Sequence, residues 1–168
     1  MEIVKDNLKF SLESWPEVGV TCDFVLAISD LIPYLTPPED TGFILPNLVT
    51  SMRGHLDLRL LGKRLYVKGT FAVKVQLICA RCLSNFIGKV GDSFEELVEL
   101  DEENGDPDYF LPIKNNSFDL TPLICEFFWL SWPIRALCRP DCQGLCPNCG
   151  ANLNEGACFC SERASTRH

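Results

Sequence analysis

Between residues 51 and 78 apolar and polar side chains alternate with a period of two, the spacing of half-buried strands. Met52, Gly54, Leu56, Leu58 and Leu60 share one face, with Arg53, His55, Asp57 and Arg59 on the other. After Leu61-Gly62-Lys63-Arg64 the alternation resumes, with Leu65, Val67, Gly69, Phe71, Val73, Val75 and Leu77 facing inward. A two-residue Gly62-Lys63 loop suits a type II′ turn, whose first central position favours glycine, and it fixes a register in which paired residue numbers sum to 125. That register sets Leu60 against Leu65 and Leu58 against Val67 on the core face. It sets Arg59 against Tyr66 and Asp57 against Lys68 on the other. Turn chemistry and binary pattern therefore agree on one hairpin.

Upstream, Val20, Cys22, Phe24 and Leu26 alternate likewise and predict a strand, followed by a Pro-rich loop around Pro33, Pro37 and Pro38. Residues 86–100 continue the sheet, although Phe94, Leu97 and Val98 would also share one face of a helix. The turn-rich, acidic stretch 101–116 separates the sheet from a helix over roughly 120–131, with Thr121 as its cap, Pro122 at the first helical position and Pro133 beyond its end. The expected class is α+β: an antiparallel β-sheet with at least one packed helix and a C-terminal cysteine-rich zinc-binding tail. The expected division is a domain over 1–137 and a tail over 138–168, partly integrated through a shared site.

A chain of 168 residues with 46% apolar content can bury a core without help from a metal. Its first sixteen residues lack the uninterrupted apolar run of a signal peptide, and no charge-free stretch reaches the roughly 18 apolar residues of a membrane span. The expected location is the cytoplasm, without membrane association. The net charge of −8 disfavours non-specific nucleic-acid binding by the whole surface. The charge is unevenly distributed: residues 53–89 hold eight basic side chains against the single acid Asp57, and 90–108 hold nine acids and no base. Arg53, Arg59, Tyr66, Lys68 and Lys74 would form a basic ribbon on the solvent face of the sheet, and with Arg81 they are the candidate RNA-contacting residues. The plainer reading is an ordinary solvated sheet face with Asp57 as a cross-strand partner; the acidic segment also reads as a solvated face, the alternative being that it screens the ribbon until a partner displaces it.

Eight of the ten cysteines form four close pairs, Cys79/Cys82, Cys138/Cys142, Cys146/Cys149 and Cys158/Cys160. Two such pairs complete the sulfur tetrahedron of a closed structural zinc site, so eight thiols point to about two ions. In Cys146-Pro147-Asn148-Cys149-Gly150 the tight turn released by glycine is the build of a zinc knuckle. The simplest partition joins 79/82 to 138/142 and 146/149 to 158/160; joining 138/142 to 146/149 and 79/82 to 158/160 is also open. Cys22 and Cys125 stand apart and read as core residues. No catalytic set is apparent. A zinc deaminase would need His-x-Glu, whereas His55 precedes Leu56 and Asp57, and closed four-thiolate sites offer no open coordination position to a hydrolase.

The stretches GTFAVKVQLICARCLSNF at 69–86 and FDLTPLICEFFWLSWPIRALCRPDCQGLCPNCGANLNEGACFC at 118–160 closely resemble the bacterial YceD family, the large ribosomal RNA subunit accumulation proteins, also found in plastids. The likeness covers about residues 50–160, with Trp132 before Pro133 as a departure from the family pattern. It implies a non-enzymatic factor for the synthesis, processing or stability of large-subunit (23S) ribosomal RNA. The implied partner is that RNA or a ribosomal or assembly protein, with no small-molecule substrate. The alternative is a zinc-stabilised adaptor between proteins, without direct RNA contact.

Overall fold

The computed structural model describes residues 4–35, 46–101, 110–158 and 160; the expected loop prolines Pro37 and Pro38 lie outside them. In chain order the strands are β1 (Val4–Lys5), β2 (Lys9–Ser11), β3 (Val20–Leu26), β4 (Asn47–Leu48), β5 (Met52–Leu61), β6 (Arg64–Ile78), β7 (Asn85–Val90), β8 (Ser93–Asp101), β9 (Phe110–Pro112) and β10 (Ser117–Asp119). The helices are α1 (Ile28–Leu35) and α2 (Thr121–Leu130).

The hairpin β5–β6 has the register that its pattern demands, with Leu60 opposite Leu65, Leu58 opposite Val67 and Asp57 opposite Lys68. Gly62 takes φ 66° at the turn, a conformation that costs glycine little and a branched residue much. On its other side β6 pairs with β7 and then β8 in one unbroken register, from Ile78 opposite Asn85 to Arg64 opposite Glu99. β7 and β8 are thus a single long arm, interrupted only at Gly91-Asp92, where the Phe71 N–H donates to the Asp92 carbonyl at 3.0 Å. Residues 86–100 belong to the sheet, and the turn closing this second hairpin, 79–84, is the segment that carries Cys79 and Cys82.

The main sheet runs β1-β3-β5-β6-β8-β9, with β4 and β7 flanking the far half of β6. It is mixed, which corrects the antiparallel expectation: β1 lies parallel to β3 and β8 parallel to β9. The cause at the first edge is that β2 leaves to pair with β10 in a second, two-stranded sheet, so the chain re-enters beside β1 running in the same direction.

Three further expectations are corrected. Pro33 lies inside α1, not in a loop, because Leu31 and Leu35, one turn apart, are buried; their burial outweighs the hydrogen bond that Pro33 cannot donate. The stretch 101–116 is not merely a separator, since β9 falls within it and Asn115 and Asn116, at φ 52° and 56°, make a two-residue turn into β10. Thr121 does not cap α2. Leu120 occupies the cap position, and the Thr121 N–H donates to Asp119 Oδ1 at 2.8 Å, so the carboxylate two residues earlier satisfies that amide.

The inward side chains of the sheet, among them Phe24, Met52, Leu56, Leu58, Leu65 and Val67, are almost wholly buried. α2 lies over them with Ile124, Cys125 and Phe128 buried, and Phe127 stacks on Phe94 of β8 at 4.3 Å. Trp132 packs edge-on against Phe128 at 5.5 Å, so the unusual tryptophan extends the aromatic side of the helix. Cys22 and Cys125 are core residues, each 2% exposed, and burial pushes the Cys125 thiol up to about 12. No helix of the described residues is long and apolar enough to cross a membrane.

Candidate metal centres and the basic face

The sulfurs of Cys79, Cys82, Cys138 and Cys142 lie within 4.8 Å of one another, and so do those of Cys146, Cys149, Cys158 and Cys160. The groups follow the simpler partition. In the first, Sγ of Cys79 is 3.7 Å from Sγ of Cys142, and Cys82 is 3.7 Å from Cys138. A tetrahedron with metal–sulfur bonds of about 2.3 Å has edges of about 3.8 Å, whereas a disulfide would need about 2.05 Å. The donor set and its spacing therefore fit a metal ion of tetrahedral preference, and all ten cysteines are free thiols. Each tetrad could hold one ion.

Both centres are built on knuckles whose backbone amides point at sulfur. The N–H of Cys82 holds the Cys79 thiol down to about 5, and the N–H groups of Cys149 and Asn148 hold Cys146 down to about 6. Burial, followed by hydrogen bonding with the Cys82 thiol, pushes Cys138 up to about 12. An incoming ion would have to displace the protons of the raised thiols, Cys138 in one set and Cys160 in the other. The residue after each knuckle is left-handed: Gly150 at φ 74° in the tail, but Leu83 at φ 60° in the hairpin.

The first centre joins the sheet to the tail. Arg81 Nη1 donates to the Cys142 carbonyl at 2.8 Å, the Ala80 N–H donates to the Ala136 carbonyl at 2.8 Å, and Phe86, Leu137 and Leu145 pack around the sulfurs. Asn154 is a supporting residue that the cysteine spacing did not reveal. Its Nδ2 donates to Cys142 Sγ at 3.4 Å, while its Oδ1 accepts from the Gln143 N–H and Arg139 Nη2, each at 2.8 Å. The signal was present in the two asparagines of Asn152-Leu153-Asn154, close after the second knuckle.

The sequence-derived ribbon does share one face, but its cations are in two different states. His55 pairs with Asp23 of β3 at 2.7 Å, Arg59 with Asp57 at 3.5 Å and Lys68 with Glu95 of β8 at 3.5 Å. A hydrogen bond between Tyr66 and Glu95 raises the phenol and, with Lys68 nearby, lowers the carboxyl. The acidic segment therefore screens this half of the ribbon as a neighbouring strand. Arg53 and Lys74 lie beyond it, and Lys74 sits directly opposite Lys89 of β7, a cation outside the sequence-derived ribbon.

Fold and donor sets define a sheet protein pinned by thiolate knuckles at a hairpin turn and in a tail. The chain belongs to the YceD family: the profile described as "Large ribosomal RNA subunit accumulation protein YceD" matches residues 67–167, more than half of the chain. It is similar to uncharacterized proteins of Mycobacterium tuberculosis and Mycobacterium bovis, each 36% identical over 104 residues, 58% of this chain and 50% of that protein. It is also similar to the "Large ribosomal RNA subunit accumulation protein YCED homolog 1, chloroplastic" of Zea mays, 38% identical over 53 residues, 31% of this chain and 18% of that protein. The match spans about half the length of the mycobacterial relatives. No solved structure matches the chain.

Proposed function

We propose that this chain is a non-enzymatic factor supporting the accumulation of large-subunit (23S) ribosomal RNA, acting in the cytoplasm as a zinc-held binding module. The observation that carries the proposal is the family match, which runs from Val67 through both cysteine tetrads. Zinc suits sets of four thiolates, and four sulfurs fill its coordination, so the ions would order the chain without meeting a substrate. Free thiols in this number suit a reducing compartment. In this reading Cys79, Cys82, Cys138 and Cys142 hold one zinc and Cys146, Cys149, Cys158 and Cys160 the other. The sheet domain over 1–137 then grips the tail from 138 onward through the first. Depleting the protein should lower large-subunit relative to small-subunit ribosomal RNA, with recovery on re-expression; an unchanged ratio would sink the proposal.

Two partners are compatible with this role. Direct RNA contact would use Arg53, Arg59, Tyr66, Lys68, Lys74 and Arg81. Replacing Arg53, Arg59, Lys68 and Lys74 together by Gln should then flatten the salt dependence of RNA binding at a stability cost within about 0.5 kcal/mol per site. The second reading, an adaptor that binds protein, is favoured by the ion pairs of Arg59 and Lys68 and by the hydrogen bond of Arg81 to the Cys142 carbonyl, which leave fewer cations for phosphate.

A further inference from the structure

The far half of the second hairpin differs from the rest of the outer face. Residues 73–90 contain Lys74, Arg81 and Lys89 and no acid, and Lys74 and Lys89 lie directly opposite one another, an arrangement that weakens a sheet. Neither lysine has an ion pair among the described residues, nor does Arg53 at the adjoining end of β5. Beyond the lysines the same face turns apolar. Ile78 and Ile87 are 62% and 61% exposed, and Gln76 opposite Ile87 makes the two isoleucines diagonal neighbours. At the tip, Leu83 is 64% exposed and holds the left-handed conformation that Gly150 takes in the other knuckle. A leucine there is strained and keeps its side chain in water, so the position serves the surface at the expense of the turn. Finally, β7 pairs with β6 alone, so its outer edge is open among the described residues.

We propose that this strip docks an extended, acidic segment of a partner protein by strand addition to β7. Lys74, Lys89, Ile78 and Ile87 share one face, so every second side chain of the added strand would meet them: carboxylates beside Lys89 and Lys74, then apolar side chains beside Ile87 and Ile78, towards Leu83 at the tip. The proposal deepens the adaptor reading and rests on it. Charge complementarity selects an acidic occupant. A second copy of this chain would bring the same lysines against these, and single-stranded RNA would find, among the described residues, no exposed aromatic ring here on which to stack bases.

The test uses the full metal-loaded chain and a synthetic eight-residue peptide, Thr-Glu-Thr-Glu-Thr-Ile-Thr-Ile, whose glutamates and isoleucines fall on one face of a strand, read by amide NMR. Shifts should concentrate on residues 85–90. Affinity should fall at least tenfold with Lys74→Glu and Lys89→Glu together, and severalfold with Leu83→Gly at unchanged metal content. A peptide with lysine for glutamate, or with N-methylated backbone, should not bind. The proposal is overturned if the acidic peptide leaves 85–90 unmoved, if the lysine peptide binds equally, if the free chain self-associates through β7, or if a single-stranded RNA oligonucleotide shifts the same amides more tightly. Failure of the functional reading looks different, since depletion would then leave ribosomal RNA unchanged whatever the peptide does.

Discussion

The two cysteine tetrads use the same chemistry in opposite surroundings. Cys79, Cys82 and Cys142 are buried and Cys138 partly so, and the set closes a loop running from the hairpin turn at 82 to the tail at 138. In the other set only Cys146 is buried, Cys149 is exposed, and all four ligands come from fifteen residues of tail. One centre is continuous with the core, through Phe86, which packs against both the sulfurs and the main cluster. The other organises a local loop. A metal that fixes distant segments removes more freedom from the unfolded chain than one that fixes near neighbours, so the first should govern global stability and the second only local order.

The largest expected effect follows from that contrast. Cys82→Ser should lower stability by about 3 kcal/mol or more, because it opens the joint between sheet and tail and leaves buried thiols without their ion. Thermal unfolding of the zinc-loaded protein would show it, and a shift no larger than that of a tail ligand would break the comparison. Cys149→Ser should make residues 143–158 sensitive to protease while costing the sheet less than about 1 kcal/mol, since Cys138 and Cys142 remain held by the first centre. Limited proteolysis with mass analysis would map the cut; cleavage within the sheet would contradict the local role. A chelator should empty the exposed tetrad at least about ten times faster than the buried one, as access to the ligands limits metal exchange. The smallest effect is at the hairpin knuckle, where Leu83→Gly should raise stability by about 0.5–1 kcal/mol by relieving the left-handed leucine. A loss of stability would show that Leu83 is needed by the fold itself.

The parts of this molecule that were legible in its sequence are those set by neighbours along the chain. The β5–β6 register followed from alternation and Gly62, and the close cysteine pairs announced thiolate donors before any fold was known. What stayed hidden depended on contacts across the chain. The second hairpin carries no two-residue turn signature, because its turn is six residues of knuckle. Treating 79–84 as a turn would have set Lys68 against Glu95 and revealed why a basic segment is followed by an acidic one. Spacing alone could not choose between partitions of the cysteines, whereas the hairpin carries 79 and 82 to 138 and 142. Strands of three residues such as β9 and β10 are too short for a period to emerge, and the Asp119 bond to the Thr121 amide defeated an assignment based on residue type.

Two separate four-sulfur centres with this division of ligands underlie the contrast between joint and tail. Cadmium can replace zinc in thiolate sites, and cadmium NMR with couplings to cysteine β-protons reads both the number of centres and the ligands of each. Two all-sulfur resonances are predicted, one coupled to Cys79, Cys82, Cys138 and Cys142 and the other to Cys146, Cys149, Cys158 and Cys160, with Cys149→Ser altering only the second. A single resonance, or coupling of Cys138 and Cys142 to the same ion as Cys146 and Cys149, would contradict the account.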